Sequence, residues 1–181
     1  SSRANGRNGM GAVMASKNLK AVAVRGHQRP QPANADLFKE LSGWSREHME
    51  QRSGGLGKYG TAEIISGPQA AAGFPTRNFT SGVFEGWEAL NGPTMYDTIL
   101  RGAATGEQDR LGRDTCFACA VRCKRVVEHK EAPYPLNPQY GGPEYESTST
   151  LGCYCGVGDL VAVAKAAELC NMYGMDTISC G

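Results

Sequence analysis

The chain has 181 residues, 40% of them hydrophobic and 20% charged, the balance of a soluble globular protein with room for one medium domain or parts of two. A net charge of +1 supplies no basic field to draw nucleic acid or an acidic membrane surface. No apolar run approaches the roughly 18 residues that span a bilayer.

Behind Ser1-Ser2-Arg3-Ala4-Asn5 there is no apolar stretch, so no signal peptide is expected. The missing initiator Met places the expected true N-terminus upstream. The first segment, Gly6-Arg7-Asn8-Gly9-Met10-Gly11, is glycine-spaced and then turns apolar. Glycines there let backbone N–H groups approach an anion, and Arg3 and Arg7 add charge. A dinucleotide site would need the strand before this block; here the alternation from Leu19 to Gly26 predicts a strand after it. A glycine-rich loop without ligand stays open at this point. Pro30 and Pro32 mark a linker. From Asp36, read as a cap, the period changes to a helix with Leu37, Leu41, Trp44 and His48 on one side, stopped by Gly54-Gly55. A second helix is expected from Thr61 to just before Gly67-Pro68. Residues 73–93 read as loop, and a short helix is expected near Thr94–Arg101. Four prolines between Pro133 and Pro143 predict irregular chain. Asp159 then caps an amphipathic helix, with Leu160, Val163, Ala164 and Ala167 on one face and Lys165 and Glu168 on the other, ended by Gly174.

Seven cysteines form an odd set, with three inside Cys116-Phe117-Ala118-Cys119-Ala120-Val121-Arg122-Cys123. Both facts favour bound metal over a disulfide framework. The first two thiols sit three apart, so one tight turn aims both at one centre; the third returns to that side if a helical turn begins there. Thiolates suit zinc or iron–sulfur clusters. A structural zinc site wants four closed ligands, usually as a second similar pair, and Cys153/Cys155 are too close together for that. Three local thiolates and a remote fourth fit a cluster better, with zinc and unligated thiols as the alternatives. Lys124 and Arg125 follow directly and could offset an anionic cluster, a solvated basic pair being the plain alternative. Cys153, Cys155, Cys170 and Cys180 read most simply as buried small thiols. Trp44 and Trp87 read as packing residues, and Met175 as core rather than ligand. His27, His48 and His129 do not cluster. Glu144 and Glu146 follow a Gly-Gly-Pro turn; in an extended segment both face one way, and a pair of surface carboxylates is the plain alternative.

Ordered blocks along the chain resemble the aldehyde:ferredoxin oxidoreductase family. They are Arg3-Ala4 with Gly6 to Ala21, the Cys116–Cys123 spacing, Pro143-Glu144-Tyr145-Glu146-Ser147 with Leu151-Gly152, and Asn171-Met172-Tyr173-Gly174-Met175-Asp176-Thr177-Ile178-Ser179. Lys58-Tyr59-Gly60-Thr61-Ala62 and Asn78-Phe79 fill the gaps. The resemblance implies an internal fragment of α+β class. Residues 1–33 would be the end of a mainly β N-terminal pterin-binding domain plus linker. Residues 34–181 would be the N-terminal part of a mainly α-helical cluster- and pterin-binding domain.

It implies, further, a tungsten (or molybdenum) bis-pterin, a 4Fe–4S cluster and a Mg²⁺ bridging the pterin phosphates. Cys116, Cys119 and Cys123 would hold the cluster, with the fourth ligand beyond residue 181. Arg3 and Ala4 would lie at the pterin phosphates, Asn171, Gly174, Met175, Asp176 and Thr177 at a pterin, and Glu146 would face the tungsten as general base. The implied activity is oxidation of a small aldehyde to a carboxylate, with electrons passing to ferredoxin, in a cytoplasmic protein whose oligomeric state is left open. Neither nucleic acid nor membrane is an expected partner. A non-catalytic zinc module, or a related tungsten enzyme reducing an aromatic CoA thioester, are the other readings. Asn171 stands where the family's pterin motif usually has Asp; an amide accepts through one oxygen only, which shifts expected pterin contact toward Asp176, and Asn171→Asp, which restores the usual family residue, is expected to be tolerated. The second pterin motif and a C-terminal His of the family are absent, so this stretch alone is expected to be inactive.

Overall fold

A computed structural model describes residues 6–181. Arg3 and Ala4 lie outside the described residues. Helix α1 (Met10–Ser16) buries none of its residues. The strand expected over residues 19–26 does not form. Val22 and Val24 are exposed, and among the described residues no second strand pairs with the segment. Alternation marks a strand only where a partner takes its N–H and C=O groups.

Helix α2 runs Ala35–Tyr59, longer than expected. Its cap is Asn34, whose side chain accepts from Leu37 N at 3.0 Å, and not Asp36. Gly54-Gly55 does not stop it. The chain kinks at Ser53 (φ −143°) and continues to Gly60, whose φ of 70° ends the helix. Leu37, Phe38, Leu41 and Trp44 of its first half are exposed; Trp44 stacks on His48, with Arg52 over its ring. Trp44 is thus not the packing residue expected, whereas Trp87 does pack against the core.

A 3-10 turn at Thr61–Ile65 leads into α3 (Ser66–Ala70). The expected helix end before Gly67-Pro68 moves past both, because Pro68 sits in the first turn, where its missing N–H costs nothing. The stretch expected as loop holds α4 (Trp87–Leu90) and the start of α5 (Gly92–Thr98), capped by Asn91 on Thr94 N at 2.8 Å. Helix α6 spans Gln108–Leu111. The two-residue strands β1 (Arg113–Asp114) and β2 (Lys124–Arg125) pair antiparallel. Helix α7 is Tyr145–Leu151, α8 Leu160–Tyr173 and α9 Thr177–Cys180.

The core is built from Ala62, Ile65, Phe74, Phe84, Leu90, Met95, Ile99, Val127, Leu136, Cys153 and the α8 residues Leu160, Val163 and Ala164. Helix α8 begins and ends as its sequence predicts: Asp159 accepts from Val161 N and Ala162 N, and Gly174 takes φ 70°. Its polar face is corrected at Glu168, which is buried. Lys165 pairs with it at 2.6 Å, and Asn137 N donates to it at 2.6 Å. A buried carboxylate persists because both bonds answer its charge. The result is mainly helical with one small sheet, compatible with an α+β fragment. No described helix is long and apolar enough to cross a membrane.

Candidate functional site

The cysteine loop is closed at its base by the β1–β2 pair, Arg113 opposite Arg125 and Asp114 opposite Lys124. Within it, Cys119 N donates to Cys116 O at 3.1 Å. Thr115 Oγ1 donates to Cys119 O at 2.6 Å. This is the tight turn that the spacing predicts. Ala118 (φ 56°) and Arg122 (φ 57°) take left-handed backbone beside the thiols, a costly conformation for residues with a Cβ. Cys116 and Cys119 are exposed and Cys123 half-buried, all as free thiols. Among the described residues no group of three His, Cys, Asp or Glu side chains converges on one metal-binding point. The donor chemistry fits a thiolate-held group, since three thiols share one pinned loop; their side chains are presented without being drawn together.

The side chain beneath this loop is Arg125, only 1% exposed, so of the basic pair that follows the cysteines it is not the solvated member. Nη2 donates to Arg122 O at 2.7 Å and Gly57 O at 2.9 Å. Nη1 donates to Lys58 O at 2.5 Å and Nε to Cys123 O at 3.2 Å. Burial pulls the guanidinium down to about 10, against the opposing charge of Glu144, so it remains a cation at neutral pH. The sequence marks Lys124-Arg125 as a basic pair after the cysteines, but nothing in it says which of the two is buried.

The Glu144/Glu146 pair differs from the extended reading. Glu144 is the extended residue before α7, and Glu146 lies in that helix's first turn. Their side chains therefore diverge. Glu144 is half-buried and accepts from Thr61 Oγ1 at 2.6 Å, and the same oxygen accepts from Tyr145 N at 2.8 Å. Glu146 is exposed. Tyr154 and Tyr145 are both pushed up, by burial first and further by the Glu146 carboxylate beside them. Tyr154 in turn meets the edge of Phe79 at 4.9 Å, and Phe79 ends a left-handed run with Arg77 and Asn78. The Asn78-Phe79 block thus reaches the Glu146 neighbourhood through Tyr154, which sequence reading did not single out.

The Asn171–Thr177 block lies where α8 turns into α9. Met175 N donates to Cys170 O at 2.8 Å, closing the turn at Gly174. A Cβ at Gly174 would meet nothing within 4 Å; its glycine serves the left-handed backbone and leaves open space beside it. Asn171 Nδ2 donates to Tyr140 O at 3.1 Å, so its side-chain oxygen is the atom free to accept from a ligand. Asp176 caps α9 at Ile178 N (3.1 Å) and accepts from Ser179 Oγ and Arg7 Nε, both at 2.7 Å. Ser179 and Arg7 hold it down at about 2. Those three bonds leave about one further acceptor position on the carboxylate. Met175 is 47% exposed, which overturns its reading as core. Cys155 and Cys180 are likewise exposed, while Cys153 and Cys170 are buried.

Helix α7 packs against both α8 and α9. Ser147 Oγ and Thr177 Oγ1 are 2.7 Å apart, and Thr150 Oγ1 donates to Thr177 O at 3.3 Å. These bonds set the helix bearing Glu146 beside the Asn171–Thr177 turn, and Arg7 brings the first glycine block to the same turn. The pterin's expected partners are amide and carboxylate oxygens beside an open glycine turn, and this set of acceptors fits the group's N–H donors.

The arrangement defines a mainly helical segment with a three-thiol loop on one side and a carboxylate-bearing helix locked to a polar turn on the other. The chain belongs to the aldehyde ferredoxin oxidoreductase family: residues 36–181 match the family described as "Aldehyde ferredoxin oxidoreductase, domains 2 & 3". Proteins named tungsten-containing aldehyde ferredoxin oxidoreductase match across 99% of the chain. The Pyrococcus abyssi protein is 40% identical, that of Thermococcus kodakarensis 37% and that of Pyrococcus furiosus 35%. The chain spans 28% of the length of each.

Proposed function

We propose that this segment supplies the first three cluster ligands, one pterin-binding turn and the general base of an enzyme that oxidises a small aldehyde to its carboxylate and delivers the electrons to ferredoxin. The observation that carries the reading is the bonding of Thr177 to Ser147 and Thr150, because it joins the proposed base and the proposed pterin turn into one unit. Cys116, Cys119 and Cys123 would hold a 4Fe–4S cluster. Asn171 Oδ1, the Gly174 turn and the remaining acceptor position of Asp176 would take the pterin's amino and ring N–H groups, with Met175 and Thr177 flanking them. Arg3 and Ala4 are assigned to the pterin phosphates and their Mg²⁺. When bound, tungsten-bispterin and cluster together would accept two electrons from the substrate carbon and pass them on singly.

The chain's own part is proton handling and placement. Aldehyde plus water gives carboxylate, three protons and two electrons. Glu146, exposed at the start of α7, would take the proton from the water that adds to the carbonyl carbon. Tyr154 and Phe79 would shield that carboxylate on one side. Glu144, tied to Thr61, holds the start of α7 and takes no proton. Residues 1–33 are assigned to the end of the preceding pterin domain, residues 34–181 to the helical one, and the protein to the cytoplasm. The test is anaerobic purification of the full-length protein. Tungsten or molybdenum with about two pterins, iron with acid-labile sulfide, and aldehyde-dependent viologen reduction are expected. Stoichiometric zinc without pterin would overturn the reading.

A further inference from the structure

We infer that Arg125 is the internal counter-cation of the cysteine loop: a positioning residue that sets the loop's base and places fixed positive charge against whatever the three thiols hold. The inference rests on the cluster reading above and deepens it. Four backbone carbonyls surround the guanidinium, two from the last turn of α2 (Gly57 and Lys58) and two from the loop itself (Arg122 and Cys123). One side chain thus fastens the loop's return strand to the negative end of a helix. The fit is close. A Cβ at Gly60 would come within 2.9 Å of the Arg125 side chain, and one at Gly57 within 2.7 Å of Val121 O. Glycine at both places lets the loop lie directly against α2.

A tie to four carbonyls needs several N–H donors, which an apolar side chain lacks. The guanidinium supplies them but brings a charge, and taking that charge out of water costs several kcal/mol before its partners repay it. A charge is useful here if the loop carries the opposite one. Thiolates on an iron–sulfur cluster supply it, and net charge, hydrogen bonding and solvent exposure set such a cluster's potential. Arg125 follows Cys123 by two residues and bonds its carbonyl, so its charge lies next to the ligand loop and is poorly screened by solvent. Reduction adds negative charge, so a buried cation favours the reduced cluster and raises the potential. Glu144 faces the same guanidinium and offsets part of the effect.

The experiment uses the full-length holoenzyme and three variants, Arg125→Lys, Arg125→Met and Glu144→Gln. Iron and sulfide per chain, thermal midpoint and the cluster's midpoint potential, by a redox titration followed by electron paramagnetic resonance, are measured for each. Arg125→Met should move the potential down, by about tenfold in the reduction equilibrium or ~59 mV for one electron. Arg125→Lys should lower the thermal midpoint, because an ammonium cannot reach four carbonyls, while keeping the potential near wild type. Glu144→Gln should move the potential up, and it keeps the test open if Arg125→Met fails to fold. Equal potentials in all the folded variants at full cluster load, or a Lys variant as low as the Met variant, would overturn the inference. A wild-type protein without iron and sulfide would instead overturn the cluster assignment on which it rests.

Discussion

Glu144 and Glu146 stand two residues apart and take different places, because one precedes a helix and the other is inside it. Glu146→Gln keeps size and hydrogen bonding but removes the basic site. On the proposed function, in the full-length protein it should leave tungsten and iron content intact and lower aldehyde-dependent viologen reduction about a hundredfold to ten-thousandfold. Glu144→Gln keeps an acceptor for Thr61 Oγ1 and should cost far less turnover per bound tungsten. Wild-type turnover in the first variant, or a larger loss in the second, would show the base misplaced. The cysteines separate in the same way. Cys153 donates to Pro75 O and Ser149 O, and burial pushes its thiol up to about 11. At pH 8 it has almost no thiolate to react. In metal-free protein an alkylating reagent should modify the exposed Cys116 and Cys119 first and Cys153 last, read by mass mapping over time. Early labelling of Cys153 would contradict its burial.

At the scale of elements, α8 shows how far local signals reach. Asp159 and Gly174 mark its two ends in the sequence, and both act there, because a cap needs only its own neighbours along the chain. Asn171 shows where they stop. Against the family pattern it reads as a weakened pterin ligand whose replacement by Asp should be harmless. The bond from Asn171 Nδ2 to Tyr140 O reverses that expectation. Asn171→Asp turns a donor into an acceptor facing a carbonyl, at a cost of about 1–2 kcal/mol. Its thermal midpoint should fall by a few degrees for a chain of this size. An unchanged midpoint would mean that the Tyr140 bond contributes nothing.

At the scale of the whole molecule, the core draws on residues from Ala62 to Ala164, and α1 buries nothing. The pair Arg7–Asp176, 169 positions apart, binds the early glycine block to the α8–α9 turn. Because Ser179 and Arg7 hold the Asp176 carboxyl at about 2, the folded chain keeps it charged below the ordinary carboxylate range near 4. Its contribution is complete above that range and is lost as pH falls from about 4 through about 2. Arg7→Ala should raise the Asp176 titration toward the ordinary value, followed by carboxyl nuclear magnetic resonance, and narrow the acid range of the α8–α9 turn. An Asp176 titration unmoved by Arg7→Ala would place that contact outside the folded ensemble.

By itself the sequence determined the thiol spacing, the bounds of α8, the tight turn at Cys116–Cys119 and the family, since each is written in residues close together or in the order of short blocks. It misread the stretch from Leu19 to Gly26, because a strand exists only through a partner. It misread the Glu144–Glu146 segment, because two residues do not carry enough period to distinguish extended chain from a helix start. The tertiary structure alone decided that Arg125 is buried under the cysteine loop, that Glu168 is inside and Met175 outside, and that Arg7 meets Asp176. Burial and long-range pairing depend on what packs from distant parts of the chain, and a charged side chain has the same letter whether water or four carbonyls surround it.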